Sequence, residues 1–291
     1  MRVGDRSVER ESILSILIVF LGGVTLQLFA AWPWGKGNAS ASRRVERLRW
    51  LALWWPAVPA SLVVAWLCGW ALSQPDPVMD PVGPFIFIAC TPFGVVVVRA
   101  VARAAWSLGR SPGDYGVATV GLLRPHIVFA PQLAKRLDDR AIEAALAHER
   151  AHIRHRDPLR LWAAQFVTDL QWPWGSAQRR FTSWLAALEQ ARDDEVRAAG
   201  VEGADLAAAL VGSLRFQCGK CCTGGVGLIG QPQVVQARIA RLLQPLPDAV
   251  LPSDSSRMTI AALLVLTLVL AMVLGVACGE RVIRPLLALS S

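Results

Sequence analysis

The chain has 291 residues, 54% of them hydrophobic, and a mean hydropathy of +0.41, which is too apolar for a purely soluble enzyme of this size. Its 30 Lys and Arg against 22 Asp and Glu give a net charge of +8. The basic residues are nevertheless scattered and partly flank apolar stretches, with no aromatic-interleaved basic face, so nucleic acid is not expected as a partner. The same composition excludes disorder, collagen and a disulfide-rich secreted scaffold.

The charges that are present bracket four stretches with no Asp, Glu, Lys or Arg: Glu11 to Lys36, Arg49 to Asp76, Asp80 to Arg99 and Arg257 to Glu280. A helix needs about 20 apolar residues to cross a hydrocarbon core of roughly 30 Å. Four transmembrane helices are therefore expected, at about 13–32, 50–72, 84–105 and 258–278, with Pro56 and Pro59 kinking the second. The first is too long for the core of a cleaved leader and reads as an anchor. Trp32, Trp34, Trp50, Trp54, Trp55, Trp66, Trp70 and Trp106 sit toward the ends of these spans, where indoles settle at a membrane interface.

The loop after the first span carries Lys36, Arg43, Arg44, Arg47 and Arg49 against Glu46, whereas the loop after the second has Asp76 and Asp80 and no base. Retention of basic residues inside then puts the first loop in the cytoplasm and the second outside. The expected location is a bacterial-type inner membrane, with both termini external and no external domain after the fourth span. Residues 1–108 read as a three-span membrane domain, 109–257 as a cytosolic domain, and 258–291 as the last span with a short tail.

The cytosolic insert is large enough to bury a core of its own. Val117 to Val120 and Ile127 to Phe129, separated by Gly121 and Pro125, read as a short strand pair. Asp138 or Asp139 caps a helix carrying Ile142, Leu146 and Ile153 that stops at Pro158. Asp157 before Pro158 reads as the N-cap of a second helix ending near Trp172-Pro173, and Gly200 closes a third that begins near Ala177. A fourth helix starts near Ala204, and a last one covers Val234 to Leu243. The fold class is thus a mainly α-helical integral membrane protein with a cytosolic α+β zincin-like insert. Cys68, Cys90 and Cys278 lie in apolar spans, while Cys218, Cys221 and Cys222 form a C-x-x-C-C cluster without a nearby His and read as reduced thiols.

On the first insert helix stands His148-Glu149-Arg150-Ala151-His152. The i, i+4 spacing stacks two imidazoles on one face so that both reach one zinc ion, and Glu149, about 100° round the helix, reaches a water at that metal. A hydrolytic zinc takes three protein ligands and keeps a place for water. The metzincin pattern fails, because it needs Gly at 155 and His at 158 and the chain has His155 and Pro158. Glu189 is the better third ligand: Phe181, Trp184, Leu185 and Leu188 define the buried face of the third helix, and Glu189 continues it. Asp193, one turn on, reads as the acceptor of an N–H from a ligand imidazole. Asp194 and Glu195 read as a solvated acidic face, Asp157 as a helix cap, Asp169 as a solvated side chain, and His126 and His155 as surface residues. His126, His155 and Tyr115 all remain open as stabilisers of the oxyanion.

H-E-x-x-H followed by E-x-x-x-D resembles the gluzincin-type membrane metallopeptidases. The stretches Gly121-Leu-Leu-Arg-Pro-His-Ile-Val-Phe-Ala-Pro131, Ala147 to Asp157, Trp172-Pro173 and Glu189 to Val196 resemble one branch, the BlaR/MecR-type antirepressor peptidases, over about Tyr115 to Leu243. The resemblance implies one zinc per chain on His148, His152 and Glu189, Glu149 as catalytic base and Asp193 behind a ligand. It also implies a polypeptide substrate, such as a winged-helix repressor in a signalling pathway. The external penicillin-binding sensor of the best-known members has no counterpart here. Two rival readings are an HtpX-like quality-control protease, which shares both motifs, and a non-catalytic signalling or scaffold protein.

Overall fold

The structure is a computed structural model that describes residue 14 and residues 16–32, 43–73, 84–108, 116–218, 232–245 and 255–288. It is mainly helical with one small sheet. The N-terminal part has α1 (Ile18–Ala31, π-helical over Ile18–Gly22), α2 (Arg43–Trp54), α3 (Ala57–Ser73) and α4 (Pro84–Leu108). Then come β1 (Val117–Val120), β2 (His126–Phe129) and the helices α5 (Pro131–Ala134), α6 (Asp139–Arg154), α7 (Asp157–Leu170), α8 (Gly175–Ala198), α9 (Gly203–Cys218), α10 (Pro232–Leu242) and α11 (Ser255–Ala288).

Local chemistry sets these boundaries. Gly121 turns β1 back onto β2 at φ +95°, and a Cβ there would lie 2.5 Å from the Arg124 carbonyl oxygen, so only glycine fits. The strands pair antiparallel, with Val117 opposite Phe129 and Val120 opposite His126. The Asp138 side chain caps α6 by accepting from the Ala141 N–H at 2.8 Å. Gly200, at φ +99°, ends α8 in a Schellman turn, its N–H bonding the Arg197 carbonyl at 3.0 Å while the Val201 N–H reaches the Val196 carbonyl at 3.3 Å.

Ala144 and Ala151 of α6 pack with Val196 of α8, Leu206 and Ala207 of α9 and Leu242, the last residue of α10. A second core joins Ala164 of α7 and Phe181, Trp184 and Leu188 of α8 to Leu53 of α2. The indoles of Trp50 and Trp184 meet at 5.0 Å between ring centroids. Trp50 and Trp54, two of the tryptophans near the expected span ends, therefore pack against α8 and are partly buried there. The chain bends by 45° between α2 and α3, at the break containing Pro56, so the second expected span begins inside a helix that packs on α8.

Among the described residues one helix is long and apolar enough to cross a membrane, at Ala262–Gly279 of α11, and the bent α2–α3 pair adds a second if taken as one span. Four spans are thus not all matched. That α11 window is only 11% buried, and its partner is α3, against which it lies so closely that a Cβ on Gly69 would come within 1.9 Å of the Met272 carbonyl oxygen. Asp76 and Asp80 of the acidic loop and Lys36 of the basic one fall outside the described residues, as do Tyr115, Cys221 and Cys222, whereas Arg43, Arg44, Arg47 and Arg49 lie on α2.

Candidate metal centre

His148 and His152 lie one turn apart on α6, and Glu189 comes from α8, which packs against α6. Their ligand-capable atoms all lie within 4.8 Å of one another. The Nε2 atoms of the two imidazoles are 3.0 Å apart, and Glu189 sends Oε2 to 3.4 Å from His148 Nε2 and Oε1 to 3.7 Å from His152 Nε2. Two imidazoles and one carboxylate converging on one point are a donor set suited to a metal ion of intermediate softness, and this group could hold one.

Behind each imidazole stands a carboxylate. His148 Nδ1 lies 3.0 Å from Asp193 Oδ1, and His152 Nδ1 lies 2.9 Å from Asp157 Oδ2. A proton on each Nδ1 turned toward its carboxylate leaves the Nε2 lone pairs facing the shared point. Asp157 differs from its reading as a helix cap. The N-cap of α7 is Arg156, held in the left-handed region at φ 52°, and the Asp157 side chain is buried. Its oxygens accept from Nε and Nη2 of the buried Arg192 guanidinium, at 2.5 and 2.9 Å, and from Arg160 Nη1 at 3.0 Å. Burial opposes the charge of Asp157, but His152 and Arg192 outweigh it and hold its carboxyl well below the ordinary range.

Arg238, on α10, is a residue that the sequence did not single out. Its guanidinium grips Asp193 through Nε–Oδ2 at 2.6 Å and Nη2–Oδ1 at 2.8 Å, and its Nη1 lies 2.8 Å from Glu189 Oε2. Burial works against charge on Glu189 and Asp193, yet Arg238 and His148 overcome it and depress both carboxyls. Burial alone would likewise lower His148, but the Asp193 and Glu189 carboxylates raise it to about 9. A cation binding here must displace that proton.

Glu149 lies beside β1, where the Thr119 hydroxyl donates to Glu149 Oε2 at 2.6 Å. The strand next to Glu149 is thus β1, and β2, with His126 exposed at its start, lies one strand further out. His155 is not a free helix-end residue, since its Nε2 lies 2.8 Å from Glu195 Oε2.

Three acids read as solvated are paired. Asp169 is 3% exposed and meets Arg103 at 3.0 Å and Arg99 at 3.6 Å. Glu195 takes Arg154 at 2.8 Å and Arg43 at 2.9 Å, and Asp194 takes Arg241 at 2.5 Å. Periodicity along one helix shows which face is apolar but not which cations another helix lays against it.

Residues 116–174 match the family described as BlaR1 peptidase M56. This stretch, similar to the BlaR1-type peptidases, runs from β1 to just past α7 and contains His148, Glu149, His152 and Asp157. No curated protein and no solved structure matches the chain.

Proposed function

We propose that this chain is a BlaR1/MecR-type membrane zinc metalloendopeptidase, with His148, His152 and Glu189 holding the metal, Glu149 serving as general base and Asp193 orienting His148. The observation that carries this reading is the convergence of two imidazole nitrogens and a carboxylate on one point, with a separate carboxylate behind each ring. Zinc bound there would polarise the scissile carbonyl and acidify a water. Glu149 accepts the proton as the water oxygen bonds to the carbonyl carbon, then delivers it to the leaving nitrogen as the C–N bond breaks. Thr119 holds one Glu149 oxygen, which fixes the rotamer and leaves the other oxygen for the proton.

The proposed substrate is a cytosolic or membrane-associated polypeptide, and the antirepressor resemblance points to a transcriptional repressor. The proposed setting is the inner membrane, crossed four times, with the metal centre in the cytoplasm. Glu149→Gln tests the chemistry, because the amide keeps the shape but cannot take a proton. The purified variant should keep zinc and lose cleavage of casein; a variant as fast as the parent would overturn the assignment.

A further inference from the structure

We infer that Arg238 donates hydrogen bonds to the carbonyl oxygen of the scissile peptide bond and stabilises the negative charge that gathers there during hydrolysis. This rests on the hydrolytic reading above and adds a residue to it. The guanidinium is fixed from behind by its two-point grip on Asp193, so its remaining N–H groups have little freedom. Those groups face the ligands: Nη1 lies 2.8 Å from Glu189 Oε2, and Nη2 lies 3.3 Å from His148 Nε2. An oxygen accepting from Nη1 would sit about 3 Å from that nitrogen. It would then lie alongside the point that the three ligand atoms surround.

No other cation among the described residues is placed this way. Arg192 and Arg160 stand on the far side of His152, engaged with Asp157. His155 points to Glu195, and His126 is exposed, its Nδ1 3.3 Å from the Arg124 carbonyl oxygen. The Arg238 side chain is 18% exposed, enough for a substrate to reach it and little enough for a charge-assisted bond to resist screening.

The electron bookkeeping needs no further reactant. Water oxygen adds to the carbonyl carbon and the π pair moves onto the carbonyl oxygen, where the Arg238 N–H groups meet it. The pair then returns as the C–N bond breaks and Glu149 hands its proton to the nitrogen. Arg238 keeps all its protons. A preorganised donor at such an oxygen is worth about 10²- to 10³-fold in kcat.

The test uses the full chain in detergent as parent, Arg238→Gln and Arg238→Lys, each assayed for zinc content, casein-peptide cleavage and affinity for a phosphinic peptide that mimics the tetrahedral state. Zinc-loaded Arg238→Gln should lose about 10²-fold in kcat with KM changed by less than about threefold. Its affinity for the phosphinic peptide should fall with kcat/KM, and Arg238→Lys should recover part of both. Normal kcat/KM in the zinc-loaded variants overturns the inference. So does a loss that leaves phosphinic-peptide affinity untouched, or one that only follows lost zinc in both variants. A parent that neither binds zinc nor cleaves the peptide overturns the enzyme reading itself, and this inference with it.

Discussion

Asp157 Oδ2 lies 2.9 Å from His152 Nδ1, although the two residues belong to different helices separated by the left-handed Arg156. The turn folds the first residue of α7 back beneath the last part of α6. One buried carboxylate thereby orients an imidazole and neutralises Arg192, which is 2% exposed.

Asp157→Ala should therefore cost more than a lost bond. It leaves the buried Arg192 guanidinium with Glu195 Oε2 alone, 3.7 Å from its Nη1, where loss of a buried ion-pair partner typically costs about 3–5 kcal/mol, and frees the His152 ring, typically worth about 10- to 100-fold in metal affinity. Because the Asp157 carboxyl is depressed on folding, its contribution is complete above the ordinary carboxyl range, about pH 5 and higher, and fades as pH falls below about 4. Thermal unfolding of parent and variant from pH 7 to pH 3 should show a gap that narrows with acid; a constant gap would rule out the ion pair as its source.

The carboxylates on α8 should separate by metal content. Glu189→Ala removes a donor and should purify nearly free of zinc, whereas Asp193→Ala should still load at saturating zinc but bind it about 10- to 100-fold more weakly. His155→Ala and Asp169→Ala should keep near-normal zinc. Asp169→Ala should also melt at a lower temperature, since Arg99 and Arg103 lose their buried partner. Full zinc in Glu189→Ala, with loss in His155→Ala or Asp169→Ala, would reverse the assignment.

Thr119→Val keeps the volume of the side chain and deletes one hydrogen bond to Glu149. A bond to a charged group is worth about 1.5–3 kcal/mol, so kcat should fall by about tenfold or more while zinc content stays at the parental value. Thr119→Ser should restore the rate. A Val variant that turns over normally would show that Glu149 needs no support from β1.

Orientation can be read by labelling single cysteines in an otherwise Cys-free chain. With five basic residues in the first loop and none in the second, Val78→Cys should react with an impermeant maleimide on intact cells, and Ser40→Cys only after permeabilisation. The reverse pattern would place the metal centre outside and remove a cytosolic repressor as substrate.

The gathering of His148, His152 and Glu189 was legible because each relation is set by helix periodicity: i, i+4 on α6, and on α8 a residue continuing the stripe of Phe181, Trp184 and Leu188, all nearly fully buried. The strand pair was legible from Gly121, and the ends of α6 and α8 from Asp138 and Gly200. What stayed hidden depends on contacts between elements. Arg238 meets Asp193 across 45 residues of chain, and Asp169 meets Arg99 and Arg103 from α4, so no local pattern announces either. Asp157 was hidden differently, because an Asp before Pro is an ordinary helix start and nothing in that dipeptide shows that its side chain turns back toward α6.

Helices α7 and α8 are bonded to the N-terminal helices by more than sequence. Gln27 donates to the Leu170 carbonyl at 3.0 Å, Ser176 to the Ala30 carbonyl at 2.6 Å and Arg49 to the Ser183 carbonyl at 2.8 Å, while Trp50 lies against Trp184. Cutting the gene so as to express residues 116–245 alone would lay bare the α8 face of Trp184 and leave Asp169 without its arginines. Such a fragment is expected to aggregate and not to behave as a small soluble enzyme. Biochemistry on this protein therefore has to begin from the whole chain in detergent or nanodiscs, because α2 and α4 supply walls that the excised segment lacks.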